Sequence, residues 1–371
     1  MKFYLAPLEG ITGFIYRNTY AEVFNDIDKY FAPFVVPNES RSLRTKEFFD
    51  ILPENNKHNL IPQILTNNPE GFILTMQKMK RLGYDEINLN LGCPSSTVVN
   101  KNRGSGFLAF PDELDVFLEK TYDSAVKENM KVSIKTRLGR DNADEFYKIL
   151  DIYNKYPLEE LIIHPRTQKD FYGKTIHTHM FKYAMENSKN PLCYNGNIFT
   201  EADYKNVKEQ LNFNFAEDSK EHNKESNKKE CIEEYSEKEC NEESNKEEYN
   251  RQFNKESDNS HIDRIMLGRG IIANPGLLYE IKNNETVSKD KIKEFHDKLL
   301  ENHLEVYSNE RGILFKLKEI WAYMIHIFTN SREYNIELKK SQNISEYKEI
   351  VERLFREEEI IPGGGLFENK I

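Results

Sequence analysis

The sequence predicts a (β/α)8 barrel followed by an all-helical region, and three observations lead there. Short apolar runs rich in β-formers alternate with longer segments of helical period, which implies parallel strands joined by right-handed crossovers. Eight such runs occur, the number that closes a barrel. Beyond roughly residue 285 the strand signal stops and only helical periodicity remains. The chain has 371 residues, and a barrel of this type takes about 250, so an appended helical region fits the remaining length.

In order, the strand candidates are Phe3 to Pro7, Tyr30 to Val36, Leu60 to Leu65, Glu86 to Leu91, Lys131 to Thr136, Leu161 to His164, Pro191 to Asn195 and Arg264 to Leu267. Helical period falls between them at Pro69 to Leu82, Asp112 to Lys127, Ala143 to Tyr156 and Glu201 to Gln210. The tail repeats it at Lys291 to Tyr307, Gly312 to Phe328 and Ser345 to Phe355. A doubly wound open sheet is the competing architecture, but the turn after the first strand, Pro7-Leu8-Glu9-Gly10-Ile11-Thr12-Gly13, lacks the G-x-G-x-x-G spacing of a dinucleotide site. The expected division is a barrel over residues 1–284 and a helical region over 285–371.

Composition narrows the class. With 38% apolar and 31% charged residues, a mean hydropathy of -0.74 and no apolar run near the ~18 residues of a membrane span, the chain reads as soluble. Its first residues carry no export signal, so a cytoplasmic location is the expectation, and a monomer is expected besides. The net charge of -10 would disfavour a polyanionic partner if it were evenly spread. It is concentrated in residues 216–261, where 15 acidic and 8 basic residues give -7 within a stretch of Glu, Lys, Asn and Ser too poor in apolar residues to build a core. That insertion enters before the eighth strand, at the barrel face opposite the strand ends that carry chemistry. Of the four cysteines, Cys231 and Cys240 lie inside it, and no C-x-x-C pair or metal-ligand spacing occurs, so no metal is expected.

In such barrels reactive groups gather where strands end. Here those ends supply Pro7, Gln63, Asn90, Cys93, Lys135, Arg137, His164, Arg166, Asn195, Gly196, Gly268 and Arg269. Cys93 follows a buried strand on a loop fixed by Gly92 and Pro94. It reads equally as a small core hydrophobe or as a thiol facing a central pocket, and the company of Lys135, His164 and Asn90 favours the pocket. Lys135 sits in an apolar strand, which is costly unless an anion or strong acceptor meets it; snorkelling to the rim is the plainer reading. The glycine-bearing loops Asn195-Gly196-Asn197-Ile198 and Gly268-Arg269-Gly270 follow the seventh and eighth strands, where barrels commonly hold a phosphate.

Taken together, these motifs resemble the tRNA-dihydrouridine synthase family. The resemblance rests on Ala6-Pro7-Leu8-Glu9-Gly10-Ile11-Thr12, on Asn88 to Pro94 continuing through Val98 and Gly104-Ser105-Gly106, and on Lys135-Thr136-Arg137-Leu138-Gly139. It continues through His164-Pro165-Arg166-Thr167, Asn195 to Ile198 and Met266 to Gly270, in family order, and more weakly through Phe315 to Trp321. It implies an FMN-containing barrel, reduced by NADPH or NADH, that reduces the carbon 5–carbon 6 double bond of a tRNA uridine. Cys93 would then protonate carbon 5 while reduced flavin delivers hydride to carbon 6. A neutral thiol, with an ordinary pKa near ~8.5, suits that role. By the same resemblance Pro7, Gln63, Lys135 and His164 would contact the flavin ring, and Asn195, Gly196, Gly268 and Arg269 its phosphate. Asn90 and Arg137 would meet the target base.

Two departures accompany the resemblance: Pro165 stands where the family often has glycine or alanine, and the acidic insertion is foreign to it. A uridine within folded tRNA must be extruded to react, which calls for basic surface around the mouth. Lys101, Arg103, Arg137, Arg140 and Lys174 on upper loops, with Lys316 and Lys318 on the helical region, are the candidates. Two other readings stay open: an RNA-binding barrel without catalysis, and a flavin oxidoreductase acting on a free pyrimidine or enone.

Overall fold

The structure is a computed structural model that describes residues 1–37, 46–173, 175–211 and 262–364. The acidic insertion 216–261, with Cys231 and Cys240, and Lys174 lie outside the described residues. Nine parallel strands form one sheet: β1 (Lys2–Leu5), β2 (Lys29–Phe31), β3 (Leu60–Ile61), β4 (Gln63–Ile64), β5 (Glu86–Leu91), β6 (Lys131–Arg137), β7 (Leu161–His164), β8 (Leu192–Tyr194) and β9 (Arg264–Leu267). Their spatial order is β3-β2-β1-β9-β8-β7-β6-β5-β4. The two ends of that list are consecutive in the chain, parted only by Pro62, so the sheet is a ring. β3 pairs with β2, and β4 pairs with β5.

The sequence expects one third strand over Leu60 to Leu65 where the fold has two short ones. Pro62 has no amide hydrogen to donate, so the ladder breaks there, although its carbonyl still accepts from the Asn88 amide at 2.9 Å. The ring therefore has eight staves, as a (β/α)8 barrel requires. Helices surround it, including Phe14–Val23, Pro69–Arg81, Pro111–Lys127, Glu145–Tyr153, Thr178–Asn187 and Glu201–Gln210.

Because side chains alternate along a strand, every second residue points into the ring. The interior is layered. At the amino end Lys29 bridges Glu86 at 2.8 Å and Glu160 at 2.6 Å, while Tyr4 donates its hydroxyl to Glu160 at 2.9 Å. Above this lies an apolar plug of Tyr4, Ala6, Phe31, Ile61, Ile162, Cys193 and Met266. The carboxyl end is polar again and carries the site. The larger core fills the space between sheet and helices. Ile262, the first described residue after the insertion, lies just before the amino end of β9, and the polar upper layer is at the strands' other end.

After Asn284 the chain is helical, through Lys289–Val306, Glu310–Met324, Ser331–Lys340 and Ile344–Glu357. Trp321 Nε1 donates to Tyr347 Oη at 2.6 Å, and His296 Nε2 lies 2.7 Å from the same oxygen, inside a shell with Phe328 and Phe355. This region docks on the first barrel helix, where the Phe295 ring meets Tyr16 and Tyr20 edge-on at 5.5 and 6.0 Å. Among the described residues no helix is long and apolar enough to cross a membrane.

The barrel floor makes a direct prediction. Lys29→Met leaves two buried carboxylates facing each other without their cation, a defect that costs about 3–5 kcal/mol. Urea unfolding should register that loss; a change below about 1 kcal/mol would mean that the floor is not held by this lysine.

Candidate active site

At the carboxyl end of the barrel the loops enclose a cavity of about 560 Å³, within the range of small-molecule sites. Pro7, Gln63, Asn90, Cys93, Lys135, Arg137, His164, Asn195, Gly196, Gly268 and Arg269 all line it. The sequence therefore assembles these eleven residues from seven strands into one wall, as the strand-end argument requires. Arg103, Lys316 and Lys318 do not line it. Arg103 reaches toward Asn67 at 3.5 Å. Lys316 Nζ donates to the Gly10 carbonyl at 2.6 Å and pairs with Glu319 at 3.1 Å. Lys318 Nζ donates to the Lys339 and Ser341 carbonyls at the end of helix Ser331–Lys340, where a cation suits the exposed carbonyls.

A line of side-chain amides fixes the thiol loop. Ser133 Oγ donates to Glu86 at 3.1 Å, and Asn88 Nδ2 donates to Ser133 Oγ at 2.9 Å. Gln63 Nε2 then donates to Asn88 Oδ1, and Asn90 Nδ2 to Gln63 Oε1, each at 2.7 Å. The line ends where Asn90 Oδ1 accepts from the Gly92 and Cys93 amides at 3.0 and 2.9 Å. Each amide has both ends engaged, so none can flip without breaking a buried bond. On its other side the Cys93 carbonyl accepts from Ser105 N and Oγ at 3.1 and 2.9 Å. Gly104 makes this approach feasible: its φ is +56°, and a Cβ there would lie 2.7 Å from the Cys93 carbonyl oxygen. Burial pushes the Cys93 thiol above its ordinary value. The sulfur is thus a proton-bearing group at neutral pH.

Four cations gather opposite. Lys135 is paired in register with Asn90 and makes no hydrogen bond or ion pair among the described residues. Burial, aided by Arg137, lowers its pKa to about 8. Arg137 is almost fully buried and donates to three carbonyls: Gly92 at 3.0 Å, Thr167 at 2.8 Å and Phe171 at 2.7 Å. Arg166, also buried, donates to His164 Nε2 and Asn197 Oδ1, each at 3.0 Å. A guanidinium can only donate, so His164 accepts at Nε2 and carries its proton on Nδ1. Burial and the surrounding cations keep this imidazole neutral, far below its usual pKa. Arg269 donates to the same Asn197 oxygen at 3.1 Å and lies between two rings, 4.5 Å from Tyr172 and 5.3 Å from Phe199. No carboxylate pairs with any of these four cations among the described residues.

The two glycine loops are forced by close approach. A Cβ on Gly196 would lie 2.1 Å from Tyr194 Oη, and one on Gly270 would lie 1.9 Å from the Ile198 carbonyl. The loops after β8 and β9 therefore pack directly on each other beside Arg269. Several lining residues escaped the sequence reading as site residues: Glu9, Tyr172, Asn197, Phe199 and Tyr323. Arg166, which the strand-end reading names, does not line the cavity and reaches it through His164 and Asn197. Tyr323 had no signal in the sequence, because it reaches the cavity only through docking of helix Glu310–Met324 onto the barrel.

Comparison with known proteins bears on the family of the chain. A model of the family described as Dihydrouridine synthase (Dus) matches residues 4–213, more than half of the chain. A Staphylococcus aureus (strain Mu50) protein named "Probable tRNA-dihydrouridine synthase" is 24% identical over 360 residues, covering 94% of this chain and 92% of that protein. The Pasteurella multocida tRNA-dihydrouridine(16) synthase is 33% identical over 179 residues, 46% of this chain and 56% of its own length. Its counterpart in Vibrio vulnificus is 30% identical over 211 residues, 55% and 65% of the two chains. The barrel, the cavity at its carboxyl end and the match across both place this chain in the dihydrouridine synthase family.

Proposed function

We propose that this protein is an FMN-dependent enzyme that reduces a specific uridine of tRNA to 5,6-dihydrouridine, drawing its electrons from NADPH or NADH. The observation that carries the reading is one cavity holding an unpartnered Lys135 ammonium, the Cys93 thiol and the two glycine loops beside Arg269. FMN, when bound, supplies the hydride for carbon 6 of the uracil, chemistry that no side chain offers. The lining suits that group. Asn195, Gly196, Gly268 and Arg269 would hold its phosphate, with Arg166 in support. Lys135 would meet the electron-rich edge of the ring, Gln63 and His164 would hydrogen-bond near it, and Pro7 would pack beside it.

Cys93 would hold a proton at Sγ and release it to carbon 5, leaving a thiolate that solvent reprotonates. Burial favours this use, since a raised thiol pKa keeps the acid loaded at neutral pH. Asn90 orients the loop that carries the sulfur. One Nδ2 hydrogen of Asn90 and the Nη2 hydrogens of Arg137 are not engaged among the described residues, which leaves donors for the uracil oxygens. The helical region 285–371 would bind tRNA beside the barrel 1–284, and Arg103, Lys316 and Lys318 would face the nucleic acid with Lys101 and Arg140. A cytoplasmic setting follows from such a substrate.

Cys93→Ala should keep FMN bound, seen as yellow protein, and abolish dihydrouridine formation in a natural tRNA scored by mass spectrometry. Turnover at the wild-type rate would rule out the acid role, and colourless protein that resists reconstitution with FMN would favour a tRNA-binding barrel instead. The second expectation concerns pH. Lys135 holds its proton only below about 8, and the charged form is the one that grips an electron-rich ring. FMN affinity should therefore fall as pH rises through about 8, by at most roughly tenfold per pH unit for one linked proton. Lys135→Met should weaken binding at neutral pH and remove that slope; an unchanged slope would place the titrating group elsewhere.

A further inference from the structure

The cavity wall carries a marked imbalance of charge. Lys135, Arg137 and Arg269 line it, and Arg166 stands behind, yet Glu9 is the single carboxylate among the described lining residues. Such a field drives a nearby thiol toward thiolate. A thiolate has no proton to give. The geometry points to Glu9 as a positioning residue for Cys93: its carboxylate, on the wall of the same cavity, offsets part of the cationic field and, beside burial, helps to hold the sulfur in its proton-bearing form. This inference rests on the acid role proposed above and names a charged group that supports it.

Several observations support it. Glu9 is exposed and makes no ion pair or hydrogen bond through its side chain among the described residues, so no fixed cation cancels its charge, and water screens it only in part. The turn that presents it is fixed. Gly10 adopts a left-handed φ of +84°, and Lys316 Nζ, from helix Glu310–Met324, donates to the Gly10 carbonyl at 2.6 Å while paired to Glu319. The Thr12 hydroxyl closes the other side of the turn by accepting from the Leu8 amide at 2.8 Å. The charged and titratable groups around the sulfur come from every neighbouring element: Glu9 after β1, Lys135 and Arg137 on β6, His164 on β7 and Arg269 after β9. Asp170, near Arg137, is already engaged by the Thr167 amide and hydroxyl and by His177. Burial is the main cause that raises the thiol; the Ser95 amide opposes it. The Glu9 carboxylate adds to the rise by more than either Arg137 or Lys135 singly takes away.

The test reads the sulfur itself. Purified full-length protein is treated with iodoacetamide across the neutral-to-alkaline range, and modification of the Cys93 peptide is followed by mass spectrometry, so that Cys231 and Cys240 do not contribute. Glu9→Gln should move the midpoint of reactivity down by about half a pH unit or more, Glu9→Lys further still, and Glu9→Asp should leave it near wild type. In turnover, the alkaline loss of activity should move down with it. An unchanged or raised midpoint in Glu9→Gln overturns the assignment. So does an equal shift in Glu113→Gln, which removes an exposed carboxylate of helix Pro111–Lys127 that does not line the cavity. Alkylation reports the thiol whether or not uridine is reduced. A shift without any dihydrouridine formation would sink the proposed activity and spare Glu9; full activity without a shift would do the reverse.

Discussion

Three positive side chains lining one cavity and a fourth behind its wall, with a single carboxylate among the described lining residues, form the constraint around which this molecule is arranged. Buried guanidinium and ammonium groups are expensive to keep unpaired. Here three of them are stabilised by carbonyl and amide oxygens instead of carboxylates: Arg137 by Gly92, Thr167 and Phe171, Arg166 by Asn197 and Gly173, Arg269 by Asn197 and two ring faces. Such partners satisfy hydrogen bonds without cancelling charge. Lys135 lacks even those. The fold thus maintains a positive potential that an anionic ligand would relieve.

The rest of the barrel explains how that arrangement is kept. Below the site an apolar plug separates it from a second charged layer, in which Lys29 bridges Glu86 and Glu160 and Arg264 adds a second positive charge near Glu160. The two charged layers use opposite designs: compensated at the floor, where stability is the only demand, and uncompensated at the top, where a ligand is wanted. The line of amides from Glu86 to Cys93 runs along one side and connects them. It fixes the orientation of Gln63 and Asn90, and through Asn90 the backbone of the thiol loop.

Much of this was legible in the sequence because barrels place chemistry where strands end. The polar residues that interrupt otherwise apolar strands at Gln63, Asn90, Lys135, His164 and Asn195 reach one cavity for that reason. The glycines of the β8 and β9 loops were legible as turns, though of the contacts that demand them only that of Gly196 on Tyr194 is local, and that of Gly270 on Ile198 depends on packing between distant segments. What stayed hidden has the same origin. Pro62 shows in the sequence, but only pairing to two different neighbours makes it the seam of the ring. Lys318 reads as a surface cation, and only the placement of helix Ser331–Lys340 directs it onto two carbonyls. Tyr323 enters the cavity by tertiary docking, and the pairing of Gln63 with Asn90 depends on neighbouring strands.

The uncompensated cations are most directly tested by titrating the flavin-free protein with FMN and, separately, with riboflavin, which carries the same ring without the phosphate. If the cavity is built for an anionic flavin, FMN should bind at least about a hundredfold more tightly, a difference of roughly 2.7 kcal/mol, as charge-assisted bonds from Arg269 and the glycine loops would supply. Equal affinity for the two, or binding of neither, would contradict it.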